Sequence, residues 1–287
     1  MTNSTTTDPE NIQRIIEMAL RALFSIDELA GKIALHGGQA MIAHNISHRS
    51  SQDIDLFIQE NSVTDQQVDL IKEALNEEFR DSNLEVRRFR SLNLPIDGTP
   101  KVQKKITATI AEKSQPNKAV PRFNGHRGLD IEISLNNNML YVTQVNNKSR
   151  TPITVATLIR IVYEKVISLC QNSPSYRATH PKRGNSNGLL RAKDIFDLSS
   201  ILTVRPELRN KLAIAVNINY LKTLMKETGV EKSDLANLLQ DMAKQENRYR
   251  AEYDTVNTTL VPVNERISFQ DANNKVQVLL KTLLGKL

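Results

Sequence analysis

The 287-residue sequence contains a single cysteine, Cys170. That excludes an internal disulfide framework and a cysteine-rich zinc site. The residue fits a reducing compartment and is most simply a small buried hydrophobe. No stretch approaches the roughly 20 consecutive apolar residues that a membrane-spanning helix requires. The opening segment, MTNSTTTDPEN, has neither a charged n-region nor an apolar h-region. No signal peptide is therefore expected, and the expected location is the cytoplasm. Aromatic residues make up only 5%, and of these Phe89, Phe123 and Tyr176 stand among basic residues. Recognition built chiefly on base stacking is disfavoured, which leaves shape and backbone contacts. Glycine and proline number 10 each, hydrophobic residues are 39% and charged residues 24%. This is globular composition, neither collagen-like nor disordered, and the length suits one large domain or two modest ones.

What the sequence does have is an uneven excess of positive charge, +6 overall. Between Val86 and Arg127 stand ten Lys or Arg residues against two acids, Asp97 and Glu112. Tyr176–Lys193 carries five more basic residues and no acid, so the rest of the chain is slightly acidic. Two basic segments on an acidic body imply a polyanionic partner such as RNA, DNA or nucleotide phosphate. Solvated loops are the competing explanation.

Hydrophobic spacing divides the chain near residue 150. Asp8 as cap, Pro9 and the series Ile12, Ile15, Ile16, Leu20, Leu23 predict a helix over Pro9–Leu23. Strands are expected at Lys32–Leu35, Asp53–Ile58, Leu84–Phe89, Lys104–Ile110, Leu129–Leu135 and Tyr141–Val145. Helices are expected at Gln39–Asn45 and, capped by Thr64, at Thr64–Phe79. Ser114–Arg127 is expected as a loop. From Thr154 the character becomes helical. The first such helix covers Thr154–Cys170, and a mobile basic loop follows from Asn172 to Gly188. The later helices break near Pro206, Gly229 and Pro262, and a last one starts at Ser268. The expected class is α+β, with a mixed sheet flanked by helices in residues 1–150 and a helical domain in 151–287.

The chemistry-bearing signal is a short strand, Gly37-Gly38, a helix, and then Asp53-Ile54-Asp55 on a strand. Alternate strand residues share a face, so Asp53 and Asp55 point the same way. Adjacent carboxylates repel unless a cation lies between them, and magnesium takes oxygen ligands while keeping phosphate oxygens in its shell. The glycine pair permits close backbone approach to a phosphate, and Arg49 and Ser50 are placed to contact phosphate oxygens. A third acid comes from Leu129-Asp130-Ile131-Glu132-Ile133, whose pattern does not choose between Asp130 and Glu132. Three carboxylates with metal suit nucleotidyl transfer, in which one of them can take the proton of an attacking hydroxyl. His36 and His48 span a strand, a turn and a helix, a poor spacing for a metal site.

In this order of elements the sequence resembles the nucleotidyltransferase superfamily related to DNA polymerase beta. Within it, the sequence resembles the AbiEii/AbiGii toxin family of type IV toxin–antitoxin systems. The matching residues are His36-Gly37-Gly38-Gln39-Ala40, His48 to Phe57, Glu164-Lys165, and Arg191-Ala192-Lys193-Asp194-Ile195-Phe196-Asp197-Leu198. They cover about residues 30–200. The resemblance implies that Asp53, Asp55 and Glu132 bind Mg2+, with Mn2+ as an alternative cation and Asp130 as the alternative third acid. It implies that Gly37, Gly38, Gln39, Arg49, Ser50 and Lys165 bind the nucleotide, and that Asp194 is a catalytic or site-organising aspartate. Gln39 departs from the Ser or Thr that superfamily members often carry after the glycines. Taken singly, Lys165 would be a surface lysine and Asp194 a helix-dipole acid.

The implied activity is transfer of an NMP from an NTP to RNA, with a tRNA 3′ end as the leading acceptor. The helical domain would complete the cleft, and an antitoxin protein is the implied partner. Two other functions use the same fold. One is attachment of a nucleotide to Ser, Thr or Tyr of a protein; the other is non-catalytic binding of nucleic acid or a partner.

Overall fold

The computed structural model describes residues 9–47, 51–95, 102–113, 122–123, 128–147, 150–180 and 190–287. They form two compact units. The first extends to Ala156; the second comprises chiefly Thr157–Leu287, with residues 45–47 grouped with it.

In the first unit, helix α1 (Pro9–Phe24) buries Ile12, Ile15, Ile16, Ala19, Leu20 and Leu23 at three- and four-residue intervals. Strand β1 (Ile33–His36) runs directly into α2 (Gly37–Ala43). Strand β2 (Ile54–Ile58) lies antiparallel to β1, pairing Leu35 with Leu56 and His36 with Asp55. Helix α3 (Asp65–Arg80) begins at a capping box. Thr64 Oγ1 accepts from the Gln67 backbone at 3.2 Å, and Gln67 Oε1 accepts from the Thr64 backbone at 2.9 Å. It packs on α1, where Arg21 Nε donates to Glu78 at 2.9 Å. Strands β3 (Leu84–Pro95) and β4 (Val102–Glu112) form a long antiparallel pair with a bulge at Arg87. Strands β5 (Leu129–Ser134), β6 (Val142–Asn146) and β7 (Pro152–Ala156) complete a mixed sheet of order β3-β4-β5-β2-β1-β7-β6.

Register and alternation give this sheet two unlike faces. Ile54, Leu56 and Ile58 of β2, Leu129, Ile131 and Ile133 of β5, and Ile106, Ala108 and Ile110 of β4 are buried together on one face. Asp55, Asp130, Glu132, Lys105 and Thr107 occupy the other. Apolar residues on one face drive the folding of the sheet, which leaves the opposite face free to carry charge.

The second unit contains α4 (Leu158–Gln171), α5 (Pro174–Thr179), α6 (Ala192–Val204), α7 (Leu208–Leu212), α8 (Ala215–Thr228), α9 (Lys232–Lys244), α10 (Glu246–Thr259) and α11 (Phe269–Leu284). The expected breaks are present: α6 ends before Pro206, Gly229 closes α8 at φ +64°, and Pro262 follows α10. Ser268 caps α11, its Oγ accepting from the Asp271 backbone at 3.1 Å. Val276, Leu279, Leu280 and Leu283 are buried, whereas Leu284 and Leu287 are partly exposed. Among the described residues, no helix is long and apolar enough to cross a membrane.

Three expectations need correction. The helix expected from Thr154 starts only at Leu158. Residues 152–156 form β7, pairing with β1, because Ile153, Thr154 and Val155 are a β-branched run with alternate residues buried. Thr157, not Thr154, is the cap. The loop expected over 172–188 contains α5. Ser173 caps it, Pro174 takes the first position, and Tyr176 is buried; residues 181–188 of that loop lie outside the described residues. Finally, β3 and β4 run beyond Leu84–Phe89 and Lys104–Ile110. Their ladder continues through Leu92–Lys105 to Pro95–Val102; the alternating Ser91-Leu92-Asn93-Leu94 belongs to this extension, although Leu92 and Val102 stay exposed.

Candidate active site

Two groups of charged side chains occupy the positions singled out in the sequence, one in each unit. In the first unit, Asp55 of β2 is the register partner of Glu132 of β5 across a parallel pair. Asp53 stands at the bend immediately before β2. All three acids are half-buried. Asp130, two residues before Glu132, shares its face but is held by other groups. Thr107 Oγ1 donates to its Oδ1 at 2.7 Å, and Lys105 Nζ lies 2.7 Å from its Oδ2. The same ammonium is 2.9 Å from Glu132 Oε1, and Gln103 Nε2 reaches Glu132 Oε2 at 3.5 Å. Partial burial works against the charge on Lys105, but the hydrogen bonds it donates to Asp130 and Glu132, with their negative charge, outweigh it and raise its pKa.

Asp53, Asp55 and Glu132 supply oxygen donors only, the ligand type a hard divalent cation takes. That chemistry fits magnesium. Among the described residues, no three acidic, imidazole or thiol groups converge as a metal cluster; Glu132 is drawn toward Lys105.

Gly37 explains how the Asp55 carboxylate reaches the turn after β1. Its φ is +66°, and a Cβ there would overlap Asp55 Oδ2 and lie 3.1 Å from Asp55 Cγ. Only glycine meets both demands. Gly37→Ala should cost about 1–2 kcal/mol through the left-handed backbone alone and should also displace the Asp55 carboxylate. A urea titration and a transfer assay should both show a loss; an unchanged midpoint would contradict the close approach. Gln39, one turn into the site, is 2% exposed. Its Nε2 donates to the Ser51 carbonyl at 2.5 Å, and its side chain also meets Gln13. It therefore tethers the segment leading into β2.

In the second unit, Lys165 of α4 is buried rather than on the surface. Its Nζ lies 3.3 Å from Asp194 Oδ1 and 2.5 Å from Asp197 Oδ2 on α6. Arg191 Nε donates to Asp194 Oδ2 at 3.1 Å. Burial opposes ionisation of Asp194, but Arg191, Lys165 and Lys193 outweigh it and hold the carboxyl far below the usual carboxylate range. Arg191 itself has φ +60°, an uncommon backbone for a residue other than glycine. Glu252 of α10 brackets it: one carboxylate oxygen accepts from the Leu190 backbone at 2.7 Å, the other from the Ala192 backbone at 2.8 Å. That carboxylate also satisfies a free N–H at the start of α6.

Lys105, Thr107 and Glu252 are the participants that sequence reasoning missed as site partners. Alternation alone could have put Lys105 and Thr107 on one face of β4, but only the β4–β5 register shows which acids they meet. Nothing local signals Glu252. Arg49, Ser50 and His48 lie outside the described residues, as do Lys101, Lys118, Arg127, Lys182 and Arg183 of the basic segments. Arg88 and Arg90 are exposed on β3, paired with Thr109 and Thr107, so they share the face of the carboxylates. Phe123 and Tyr176 are buried, and Tyr176 stacks on His180 with ring centres 4.1 Å apart. Neither offers a ring face for a base.

The family model described as "Nucleotidyl transferase AbiEii toxin, Type IV TA system" matches residues 19–275. No curated protein matches the chain in sequence. Among solved structures, JHP933 from Helicobacter pylori is similar at a TM-score of 0.56 and 14% identity, over 99% of this chain and 95% of that one. A second H. pylori structure, described as a candidate nucleotidyltransferase, is similar at a TM-score of 0.55 and 14% identity, over 100% and 97%. At such identity the likeness is one of fold.

Proposed function

Because the chain belongs to the AbiEii nucleotidyltransferase toxin family of type IV toxin–antitoxin systems, we propose that it is a magnesium-dependent enzyme transferring an NMP from an NTP to an RNA hydroxyl, with a tRNA 3′ end as the leading acceptor. The observation that carries this reading is the pairing of Asp55 with Glu132 across β2 and β5, beside the glycine turn. The family implies an antitoxin partner and an NTP substrate. We place the reaction in the cytoplasm.

In this mechanism Asp53, Asp55 and Glu132 would hold the cation, which when bound would supply neutralisation of triphosphate charge and polarisation of the phosphoryl oxygens. Gly37 and Gly38 let the nucleotide approach the backbone, and Gln39 keeps the strand entrance in place. A carboxylate of the acid row accepts the proton of the attacking RNA hydroxyl. The RNA hydroxyl oxygen bonds to the α-phosphorus, the bond from the α-phosphorus to the α–β bridging oxygen breaks, and pyrophosphate leaves. Lys165 contacts nucleotide phosphate, and Asp194 orients its ammonium. The role of Arg49 and Ser50 as phosphate contacts belongs to the same proposal, as does the division at residue 150 into a catalytic and a helical domain. Exposed Arg88 and Arg90 favour a polyanionic acceptor, whose affinity should fall steeply with salt.

The test is transfer of label from each α-labelled NTP, with magnesium, to total cellular RNA and protein. The expected result is a labelled RNA band that Asp53→Ala/Asp55→Ala abolishes. Label on protein would instead identify a protein-modifying transferase, and no labelled species with any NTP would favour a binding module.

A further inference from the structure

The acid face of the sheet already contains a cation. Lys105 projects from the same side of β4 as Thr107, opposite Glu132 in the register, and Glu132 is in turn opposite Asp55. The ammonium of Lys105 bridges Asp130 and Glu132 at 2.7 and 2.9 Å. The two acids differ in what else holds them. Asp130 is pinned by a short hydrogen bond from Thr107, whereas among the described residues the other oxygen of Glu132 is met by the long contact from Gln103. Glu132 is thus the carboxylate that can turn toward Asp55, while Asp130 keeps its place.

We propose that Lys105 is a built-in counter-ion that competes with the divalent cation for Glu132, and that Asp130 is the station to which its ammonium withdraws when the cation enters. This deepens the proposed function and rests on its metal site. A carboxylate row without a cation is self-repelling, and an ammonium within hydrogen-bond reach relieves that repulsion. A metal that recruits Glu132 must first break the Lys105 contact, so the protein alone binds metal weakly. Asp130 lowers the cost of that exchange, because the displaced ammonium stays paired rather than stranded at a half-buried site. Tight metal binding then awaits the extra oxygen ligands of a nucleotide triphosphate.

The experiment measures Mn2+ binding to the full-length protein by the EPR signal of free Mn2+, without nucleotide and independently of activity. Lys105→Met keeps the aliphatic stem and should bind Mn2+ about tenfold to a hundredfold more tightly, the scale on which one neighbouring charge shifts a carboxylate's proton affinity. Lys105→Gln should move in the same direction. Asp130→Asn should weaken binding several-fold, because Lys105 is then left to Glu132 alone. Unchanged or weaker binding in both Lys105 variants, with the far-UV spectrum intact, overturns the proposal. Asp55→Asn separates this failure from failure of the underlying site: if it leaves wild-type Mn2+ binding intact, the acid row is not the metal site and the proposal falls with it.

Discussion

Asp55→Asn should lower nucleotide transfer by about three orders of magnitude and leave the fold intact. The substitution preserves shape and removes one anionic oxygen donor from the face where β2 meets β5. Charge stabilisation by a bound metal is worth several kcal/mol at the transition state, and about 4 kcal/mol is a factor of about 10³ in rate. Stability should not fall with it. Asp55 is half-buried beside Glu132, so neutralising it removes repulsion between carboxylates. Leu56 beside it, and Leu35 and Ile131 next to its register partners His36 and Glu132, are buried apolar residues that the substitution leaves unchanged. Single-turnover transfer of label and a urea titration on the same preparation make the measurement. A rate within tenfold of wild type would remove Asp55 from the chemistry. An equal loss of stability would mean that the effect is on folding rather than catalysis.

The parts of this arrangement that were legible in the sequence are those fixed by short-range rules. Alternation in Asp53–Ile58 and Leu129–Leu135 foretold two strands with acids on one face, and β2 and β5 occupy those segments. Thr64 and Ser268 announced their helices because a cap and its backbone partner are three residues apart. What escaped depends on pairing between distant segments. β7 was hidden inside an apolar stretch that suits a helix equally well until β1 lies beside it. Which of Asp130 and Glu132 stands next to Asp55 is a matter of parallel register, and a two-residue slip would exchange them. Lys105 looked like one more cation in a basic segment, since the acids it bridges are some 25 residues away in sequence. Lys165 shows the same limit in the opposite sense. Helical spacing gives no hint that a lysine is buried between two aspartates on another helix.

That burial makes Lys165→Met the substitution with the largest expected effect on stability. Lys165 is 8% exposed, Asp194 1% and Asp197 0%. A methionine of similar length fills the space but leaves Asp197 without its 2.5 Å ion pair and Asp194 with Arg191 and Lys193 as its cations. Removing one partner of a buried pair strands a charge in low dielectric and typically costs about 3–5 kcal/mol. Lys165→Met/Asp197→Asn should recover part of that loss, because the stranded charge is then neutral as well. The pH dependence has a definite sign. Asp194 has a folded pKa below its unfolded value, so the native state binds fewer protons there than the unfolded chain does. Its contribution is therefore present above the unfolded pKa of about 3.9 and is lost as pH falls below it. In Lys165→Met the depression is smaller, so the gap in unfolding free energy between wild type and variant should be full at pH 7 and narrow on acidification below about pH 4. Urea titrations across that range measure it. A variant as stable as wild type at pH 7 would mean that the aspartates do not depend on Lys165, and would leave its ammonium to the nucleotide alone.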